Sequence, residues 1–555
     1  MPRHYRQEVR VVNDKLNMAA RWLPWLAAAL LAGCGGGGGS SSGNIAGANI
    51  PAAVPSPLPA SIGLVRDCSG LNCGASSDGS YSGTGIGIWR YTNGNPYPTM
   101  LHARLTGVAS KTAVLVFTNQ SGDAQAMPAN SLQSEQASPQ MAAATDGPLR
   151  LPVPSYIRDF KPSHQGGALA QGSLPKGPAF AKAGDRRSWY SESNASYMAT
   201  LQLQRTSSDG RQINFWVQDG EWGPGKIDAA LLDQIGNRFS TGNNAIYDMV
   251  TQIAGKPWGA LPAAESGYYI DAAQPLDIVI SNLTPDGSPW GLIGYFWGRN
   301  NQSSSYQSFS NQSLSLYIDS ETLYLGGTTG FDFCVSTLAH ELTHMINFYQ
   351  RNVLLNAPNE AWLEEMTAMG MEDVVDLAIN PAYNTIRDDR FPGWLAAGDY
   401  NCPVNQYNYV GSCNSYNIGG SFMGFLLRRY GTGFFRSLLG DASSQSDSVA
   451  VLDHAIRQAG GTSFADELRR WGTSIALLPA SGTPAGYGYP ERTEGPFVLP
   501  GIDGSQYQYI RNMPASLPAT LRPYGHFPLL RANLADTYSE DLNVPAYSSL
   551  TIVVQ

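Results

Sequence analysis

The segment His340-Glu341-Leu342-Thr343-His344 places a carboxylate between two imidazoles. On a helix, residues four positions apart lie on one face, about one turn from each other. The two histidines can therefore reach one Zn²⁺ ion from the same side. Glu341 is not required as a ligand in this arrangement and is suited to act as general base on water activated there. The spacing H-E-x-x-H predicts a hydrolytic zinc site.

The sequence around this motif predicts a helix over residues 333–351. Apolar side chains recur there at intervals of three and four residues, and neither proline nor glycine interrupts the segment. The alternative is an amphipathic surface helix that carries two histidines by chance. The chain has only seven histidines. Because two of them fall in the motif, we expect the metal site.

A second helix is predicted over residues 359–376, and it carries several glutamates. A catalytic zinc site needs a third protein ligand and an open position for water. Glu360 and Glu364 lie four residues apart, and like charges at this spacing favour a solvent-exposed face. Glu365 is rotated by about 100° around the helix axis and is the expected inward ligand. Glu364 is the alternative.

Residues 362–368, WLEEMTA, resemble the W-L-N-E-G-x-A segment of the gluzincin metallopeptidases. In that clan the third zinc ligand is the glutamate of this segment, so the resemblance implies that Glu365 binds the metal. Glu364 stands where those enzymes have asparagine. Some gluzincins also place an aspartate four residues after the ligand, where it orients a zinc histidine. Position 369 is methionine here, which leaves Glu372 or Asp373 as a substitute.

Residues 415–431, SYNIGGSFMGFLLRRYG, resemble the Y-x-x-G segment that opens a later helix in gluzincins. The resemblance implies that Tyr416 stabilises the oxyanion formed during hydrolysis, with Gly419 matching the glycine. A phenol O–H can donate a hydrogen bond to such a charge. The alternative is a packing tyrosine, in a chain that has 28 tyrosines. The donor would then be sought elsewhere, for example at His454 or His526.

Within the clan, the segment TLAHELTHMINF most resembles the hyicolysin family of secreted neutral metalloproteases. The resemblance extends loosely over residues 213–478. It implies an α+β fold with a zincin-like catalytic domain, in which a sheet with an antiparallel edge and the zinc helix precede a mainly helical subdomain. Residues 314–318 alternate apolar and polar side chains, as an edge strand would. In this clan such a strand binds extended peptide by strand addition.

The N-terminus has the features of an export signal. Residues 17–34, NMAARWLPWLAAALLAGC, combine one arginine with a short apolar core and end in a segment that resembles a bacterial lipobox. The resemblance implies that Cys34 is lipidated and that residues 1–33 are removed, with Met18 as a possible true start. Gly35 then favours the outer membrane. The alternative is an ordinary cleaved signal with a chance cysteine.

Composition divides the remainder of the chain. Residues 34–60 carry Gly/Ser-rich and then Pro-rich sequence, as expected of a tether. We expect a β-rich N-terminal region at 61–120, a linker or irregular segment at 121–186, a zinc metallopeptidase domain at 187–480 and a β-rich C-terminal domain at 481–555.

Five cysteines follow the signal. In an oxidising compartment an even number is expected to pair. Close spacing predicts the disulfides Cys68–Cys73 and Cys402–Cys413. Cys334, in an apolar segment just before the zinc motif, is the odd cysteine and is expected to be buried.

The formal net charge of −9 argues against a nucleic-acid partner. We therefore expect a zinc endopeptidase that hydrolyses proteins or peptides outside the cytoplasm and is attached to the bacterial cell envelope by a lipid anchor, or is released extracellularly. An aminopeptidase is one alternative, although the chain has no G-x-M-E-N-like segment. Another is an envelope adhesin with an inactive protease fold, which would not need Glu341. The sequence leaves bound calcium open.

Overall fold

The computed structural model describes residues 63–132, 181–242, 244–407, 413–443 and 445–555. All of them fall in the unit Pro57–Gln555. The signal, Cys34, the tether and most of the predicted linker lie outside the described residues. Across the described ranges, no helix combines the length and the apolarity that crossing a bilayer requires.

The described residues form an α+β fold, as the sequence predicts. The strands are β1 (Val65–Arg66), β2 (Gly87–Asn93), β3 (Thr99–Thr106), β4 (Ala113–Asn119), β5 (Gln125–Ala126), β6 (Arg186–Tyr190), β7 (Ser196–Thr206), β8 (Gln212–Gln218), β9 (Leu276–Ser281), β10 (Gly294–Phe296), β11 (Leu314–Asp319), β12 (Arg492–Glu494), β13 (Phe497–Leu499), β14 (Thr520–Leu521), β15 (His526–Arg531), β16 (Thr537–Val544) and β17 (Ser548–Val554). The helices are α1 (Ala229–Ser240), α2 (Ile246–Ala254), α3 (Ser320–Leu325), α4 (Gly327–Asn347), α5 (Ala361–Ile379), α6 (Phe391–Ala397), α7 (Ser415–Leu439), α8 (Ser448–Gln458) and α9 (Phe464–Gly472).

A six-stranded mixed sheet supports the zinc motif. Its strand order is β10-β11-β9-β8-β7-β6. Strands β8, β9 and β11 run parallel to one another, whereas β10 pairs antiparallel with β11 and so forms an antiparallel edge. Helix α4 packs against β10 and β11, and α5 packs against α4. The sheet edge and the two helices therefore meet where the motif residues lie.

The prediction that residues 314–318 form the edge strand is wrong. They belong to β11, which has a neighbour on each side, and the edge strand is β10. All six residues of β11 are buried. The polar positions of the alternation face a buried polar network rather than solvent, because Ser315 and Asn311 donate hydrogen bonds to the hydroxyl of Tyr317. Alternation in sequence therefore reflected two different buried faces.

The motif helix is longer than its pattern indicated. Helix α4 begins six residues before the predicted start at 333, directly after Gly326. At its C-terminal end the backbone continues as a π-helical turn, Phe348–Val353. Helix α5 begins at Ala361 and ends three residues beyond the predicted end at 376. The two helices predicted to carry the metal ligands are thus both present, with shifted ends.

The two β-rich ends of the chain share one sheet. Its order is β1-β2-β17-β4-β15, so the strand formed by residues 548–554 lies between two strands from residues 87–119. Strand β16 likewise pairs with β3. The expectation of a separate β-rich domain at 481–555 is therefore wrong, because every residue of β4 and β17 is buried and each strand needs the other for its hydrogen bonds. The boundaries 187 and 480 remain predictions.

Both predicted disulfides are present. Cys68 is bonded to Cys73, and Cys402 is bonded to Cys413. Cys334 is buried in α4 and takes part in neither bond. The pairing follows the close sequence spacing, as expected for short loops that bring the cysteine Cα atoms within bonding reach.

Candidate metal centre

The two motif histidines lie one turn apart on α4 and point to a common position. Their Nε2 atoms are 3.0 Å apart, and both side chains are buried. Two ring nitrogens at this distance that face one position can both coordinate a single metal ion. The helix positions them as the i, i+4 spacing predicts.

Glu365 completes the cluster from α5. Its Oε2 atom lies 3.3 Å from His340 Nε2 and 3.7 Å from His344 Nε2. One ligand atom from each residue lies within 4.8 Å of the other two. Oε2 is buried and receives no hydrogen bond within the described part of the chain. A buried carboxylate oxygen without a hydrogen-bond donor, facing two imidazole nitrogens, fits a zinc ligand set of two histidines and one glutamate.

The charges of the three residues support each other. Burial by itself would raise the pKa of Glu365, but the adjacent imidazoles of His344 and His340 hold that pKa at about 2. Burial by itself would lower the pKa of each histidine, but neighbouring carboxylates raise both values above the ordinary one, with Glu365 acting on each. The site therefore keeps an ionised carboxylate in a buried place, and a metal that binds there displaces the ring protons that the carboxylates favour.

Glu341 faces the same space from between the two histidines in sequence. Its Oε2 atom accepts a 2.8 Å hydrogen bond from the backbone N–H of Phe296, the last residue of β10. Burial raises the pKa of the Glu341 carboxyl, and the neighbouring histidines offset part of the increase. The carboxylate is thus tied to the edge strand of the sheet, and a raised pKa suits a group that accepts and returns a proton.

The residue that orients His340 is Glu372. Its Oε1 atom lies 2.7 Å from His340 Nδ1, and both side chains are buried. Asp373, the other candidate, instead pairs with Arg428 at 2.7 Å and accepts from Asn384. Glu372 follows Glu365 by seven residues, or two turns, and so lies on the same face of α5. A carboxylate on the second ring nitrogen fixes the orientation of a zinc histidine.

Glu364 does not occupy the exposed face that the sequence predicted. Its side chain is buried, and its carboxylate accepts hydrogen bonds from the amides of Asn347 and Asn359. The like-charge argument failed because these polar partners and His344 stabilise Glu364 inside the protein, while Glu360 alone remains exposed. Glu365, not Glu364, belongs to the cluster that can hold a metal.

Tyr416 lies in the first turn of α7 and is buried. Its hydroxyl is 3.3 Å from that of Tyr407, and the guanidinium of Arg390 lies 5.5 Å from its ring centre. Its role in catalysis stays a prediction. His454 lies on α8 and contacts Asp441 at 3.0 Å, whereas His526 is buried against Thr118 in the five-stranded sheet.

Sequence reasoning missed two residues that bind carboxylates next to the cluster: Phe296 donates to Glu341, and Asn347 donates to Glu364. Phe296 gave no signal, because it contributes a backbone N–H whose position depends on the pairing of β10 with β11. Asn347 lies three residues after His344 and so faces the same side of α4. That spacing was available in the sequence.

Comparison with known families identifies two matching regions. A family described as Peptidase M30 matches residues 193–555, which is nearly two thirds of the chain. The match extends beyond both ends of the 213–478 resemblance. A second family, described as Domain of unknown function (DUF8571), matches residues 67–132.

Solved structures with detectable similarity include an M1 zinc metallopeptidase from Deinococcus radiodurans, at 10% identity, with 70% of this chain and 69% of that chain covered and a TM-score of 0.28. A mutant of a two-domain M1 zinc metallopeptidase with bound L-arginine is 11% identical, with 73% of each chain covered and a TM-score of 0.28. Comparison with curated proteins finds no match.

Proposed function

The chain belongs to the peptidase M30 family, and on that premise we propose that it is a zinc-dependent endopeptidase acting on proteins outside the cytoplasm. Membership of a peptidase family, together with two histidines and a glutamate around one position, makes it a zinc metallopeptidase. The observation that carries the proposal is that Glu341 stands beside this cluster, bonded to the edge strand.

His340, His344 and Glu365 would hold the metal. Bound zinc supplies a Lewis acid that polarises the scissile carbonyl and activates water for attack. Glu341 takes the proton from the attacking water and passes it to the leaving amine. Its bond from the Phe296 N–H keeps one oxygen at the strand edge and leaves the other for proton transfer.

The edge strand is suited to hold a peptide substrate. Strand β10 has a neighbour on one side only. Its outer edge therefore offers backbone groups to which an extended peptide can bind as an added strand. Because Phe296 ends β10 and contacts Glu341, a peptide at this edge would pass directly beside the general base.

The composition of the edge strand and of the segment directly after it favours an endopeptidase over an aminopeptidase. An aminopeptidase needs an acidic group for the substrate's amino terminus. Residues 294–303, GYFWGRNNQS, contain no carboxylate. Because Tyr295, Phe296 and the amide side chains after them are buried, a peptide paired with β10 would meet mainly backbone groups, which place no requirement on a free N-terminus.

The test uses two fluorogenic peptides that differ only in an acetyl group at the N-terminus. An endopeptidase cleaves the blocked peptide at an internal bond at least as fast as the free one, with mass spectrometry locating the cut. Release of single residues from the free peptide alone would establish the aminopeptidase. No cleavage of casein or of either peptide by a protein with about one bound zinc would favour the adhesin.

Tyr416 is proposed as the oxyanion donor. Tyr416→Phe keeps the ring and removes one O–H, so kcat is expected to fall by roughly 10²-fold with KM little changed. Zinc content and Tm should stay as in the wild type. An unchanged kcat would leave Tyr416 as a packing residue.

The envelope tether is proposed from the lipobox. Labelled fatty acid is expected to enter the wild type and not Cys34→Ser, which would partition to the aqueous phase. Equal labelling of both proteins would refute the anchor.

A further inference from the structure

We propose that Glu364 is a positioning residue of the metal centre. It holds the imidazole of His344 with Nδ1 toward α5 and Nε2 toward the metal. Each zinc histidine is then held from behind by its own carboxylate. The inference rests on the metal site proposed above and adds a residue that the ligand set does not contain.

The geometry around His344 carries this inference. The Oε2 atom of Glu364 lies 3.5 Å from His344 Nδ1, and the side chains are 6% and 0% exposed. Nδ1 is buried and makes no hydrogen bond within the described residues, and Glu364 Oε2 is the carboxylate atom facing it. A ring N–H in that place must face an acceptor or lose its hydration without replacement. The carboxylate of Glu364 is the acceptor that faces it.

Three donors converge on the two oxygens of Glu364. Asn347 Nδ2 donates to Oε2 at 3.0 Å, and Asn359 Nδ2 donates to Oε1 at 2.9 Å. The ring N–H of His344 approaches Oε2 as well. An ionised carboxylate only accepts hydrogen bonds, so Glu364 bonds both asparagine amides and still offers lone pairs to the Nδ1 proton of His344 at 3.5 Å. These two asparagines hold the carboxylate in place, and Asn347 is itself fixed by a 3.0 Å bond to Thr367.

Helix α5 thereby supplies both the ligand and both orienting groups. Glu365 and Glu372 lie two turns apart on one face, whereas Glu364 is rotated about 100° to one side. Glu372 reaches His340 at 2.7 Å and Glu364 reaches His344 at 3.5 Å. The pair of contacts fixes both rings with Nε2 toward Glu365. An orienting carboxylate also makes its histidine a stronger donor and raises metal affinity.

The experiment measures zinc affinity of the purified full chain by competition with a chromophoric chelator, with zinc alone as the probe. Glu364→Gln is expected to weaken zinc binding by roughly 10–100-fold, the range found when an orienting partner is lost. The change keeps the side-chain volume. Asn359 can turn its amide oxygen toward the new NH2 while Asn347 still donates to the remaining oxygen, so the variant removes the charge while it preserves the packing.

Glu360→Gln is the matched control. Glu360 is exposed, directly precedes α5 and accepts only from Trp362 among the hydrogen bonds described for its side chain. Its zinc affinity is expected to equal that of the wild type. The Tm of each protein without metal reports folding independently of the site.

A second readout separates orientation from packing. With Co²⁺ in place of zinc, visible absorption bands report the donors and their geometry. Glu364→Gln is expected to shift these bands, and nitrogen-15 NMR of labelled histidine is expected to show a shifted His344 Nδ1 signal, because an amide oxygen is a weaker acceptor for the Nδ1 proton than a carboxylate. A purely structural role would lower Tm and leave both signals unchanged.

The outcomes separate the role of Glu364 from the existence of the metal site. If the wild type and Glu360→Gln bind zinc and Glu364→Gln binds it equally tightly with unchanged Co²⁺ bands, the role of Glu364 is overturned and the metal site stands. If the wild type holds no zinc, the proposed function itself fails.

Discussion

Two histidine–carboxylate contacts of nearly equal length lie in opposite surroundings. His340 Nδ1 is 2.7 Å from Glu372, with side chains 5% and 0% exposed. His102 Nδ1 is 2.6 Å from Asp541 on the ribbon of β3 and β16, with side chains 66% and 61% exposed. Ser539 lies 3.3 Å from the other ring nitrogen of His102, so the exposed group has a serine, a histidine and an aspartate in contact in the same sequence as a catalytic triad.

The difference shows that contact distance does not decide what a polar pair does. Around His102 water competes for every hydrogen bond and screens the charges, so the pair contributes little. Around His340 water is excluded, so a charge there must be balanced by other charges or by a metal. Of the two groups, only the buried one has a second histidine and Glu365 beside it, together with Glu341, the proposed general base.

The variant Glu341→Gln tests most directly whether the buried group, and not the exposed one, carries the reaction. This change removes the proton acceptor of the buried region and leaves all three metal ligands. Peptidase activity is expected to fall by roughly 10²–10⁴-fold, while metal analysis still finds about one zinc per chain. Hydrolysis close to the wild-type rate would show that the buried cluster is not the reaction centre.

The two contacts themselves can be compared by the same chemical change at each. Glu372→Gln removes the charge behind His340, and zinc affinity is expected to weaken by about 10–100-fold. Asp541→Asn, the matched change on the exposed ribbon, is expected to leave zinc affinity unchanged. Chelator competition measures both. Equal effects at the two positions would show that the buried contact of Glu372 has no special role in zinc binding.

A third test uses a buried histidine that has no carboxylate. His526 lies against Trp471 and Thr118, and burial lowers its pKa to about 3. The unfolded chain takes up a proton near the ordinary value of about 6.5, whereas the folded chain does not until about pH 3. This contribution to stability is therefore complete above about pH 6.5 and is lost as the pH falls toward 3.

The expected slope from His526 is about 1.4 kcal/mol per pH unit within that range. Urea unfolding at several pH values measures it, and His526→Gln should flatten the curve by that amount. A wild-type curve that His526→Gln leaves unaltered would mean that the buried ring is protonated in the folded state.

The smallest effect is expected at the exposed group. Ser539→Ala and His102→Ala should each change the free energy of unfolding by about 0.5 kcal/mol or less, as usual for surface positions. A fluorophosphonate probe is not expected to label Ser539, because the residue is exposed and an oxyanion formed there would lie in water rather than in a preorganised, water-excluded site. Specific labelling there would show that the exposed contacts carry chemistry after all.

The parts that sequence predicted were those set by local spacing. The i, i+4 histidines and the two short-range disulfides follow from neighbours in the chain, whereas the place of Glu365 in the cluster follows from the resemblance of residues 362–368 to the gluzincin segment. The direction of a side chain around a helix axis is fixed by the backbone, so spacing alone places the two histidines. The short loops between the paired cysteines keep their Cα atoms within bonding reach.

The parts that sequence did not predict depend on distant segments. Burial of Glu364 requires Asn347 from another helix, and the edge position of β10 requires its pairing with β11. The choice of Glu372 over Asp373 is made by Arg428, which takes Asp373 away from the histidine. Each outcome is set by a partner that no local pattern identifies.

The central place of β17 has a consequence for the order in which the protein is made. Ser548 pairs with Asn119 and Asn93, so strands β2 and β4 must wait for a partner that is synthesised more than 400 residues later. At a translation rate of about 5–20 residues per second, this interval is on the order of half a minute. During it the two strands present open edges that invite pairing with other chains. Helices α4 and α5 are synthesised within the same interval, so the five-stranded sheet closes only after His340, His344 and Glu365 have been made. A chaperone that shields β2 and β4 would therefore have to act on these strands throughout that interval.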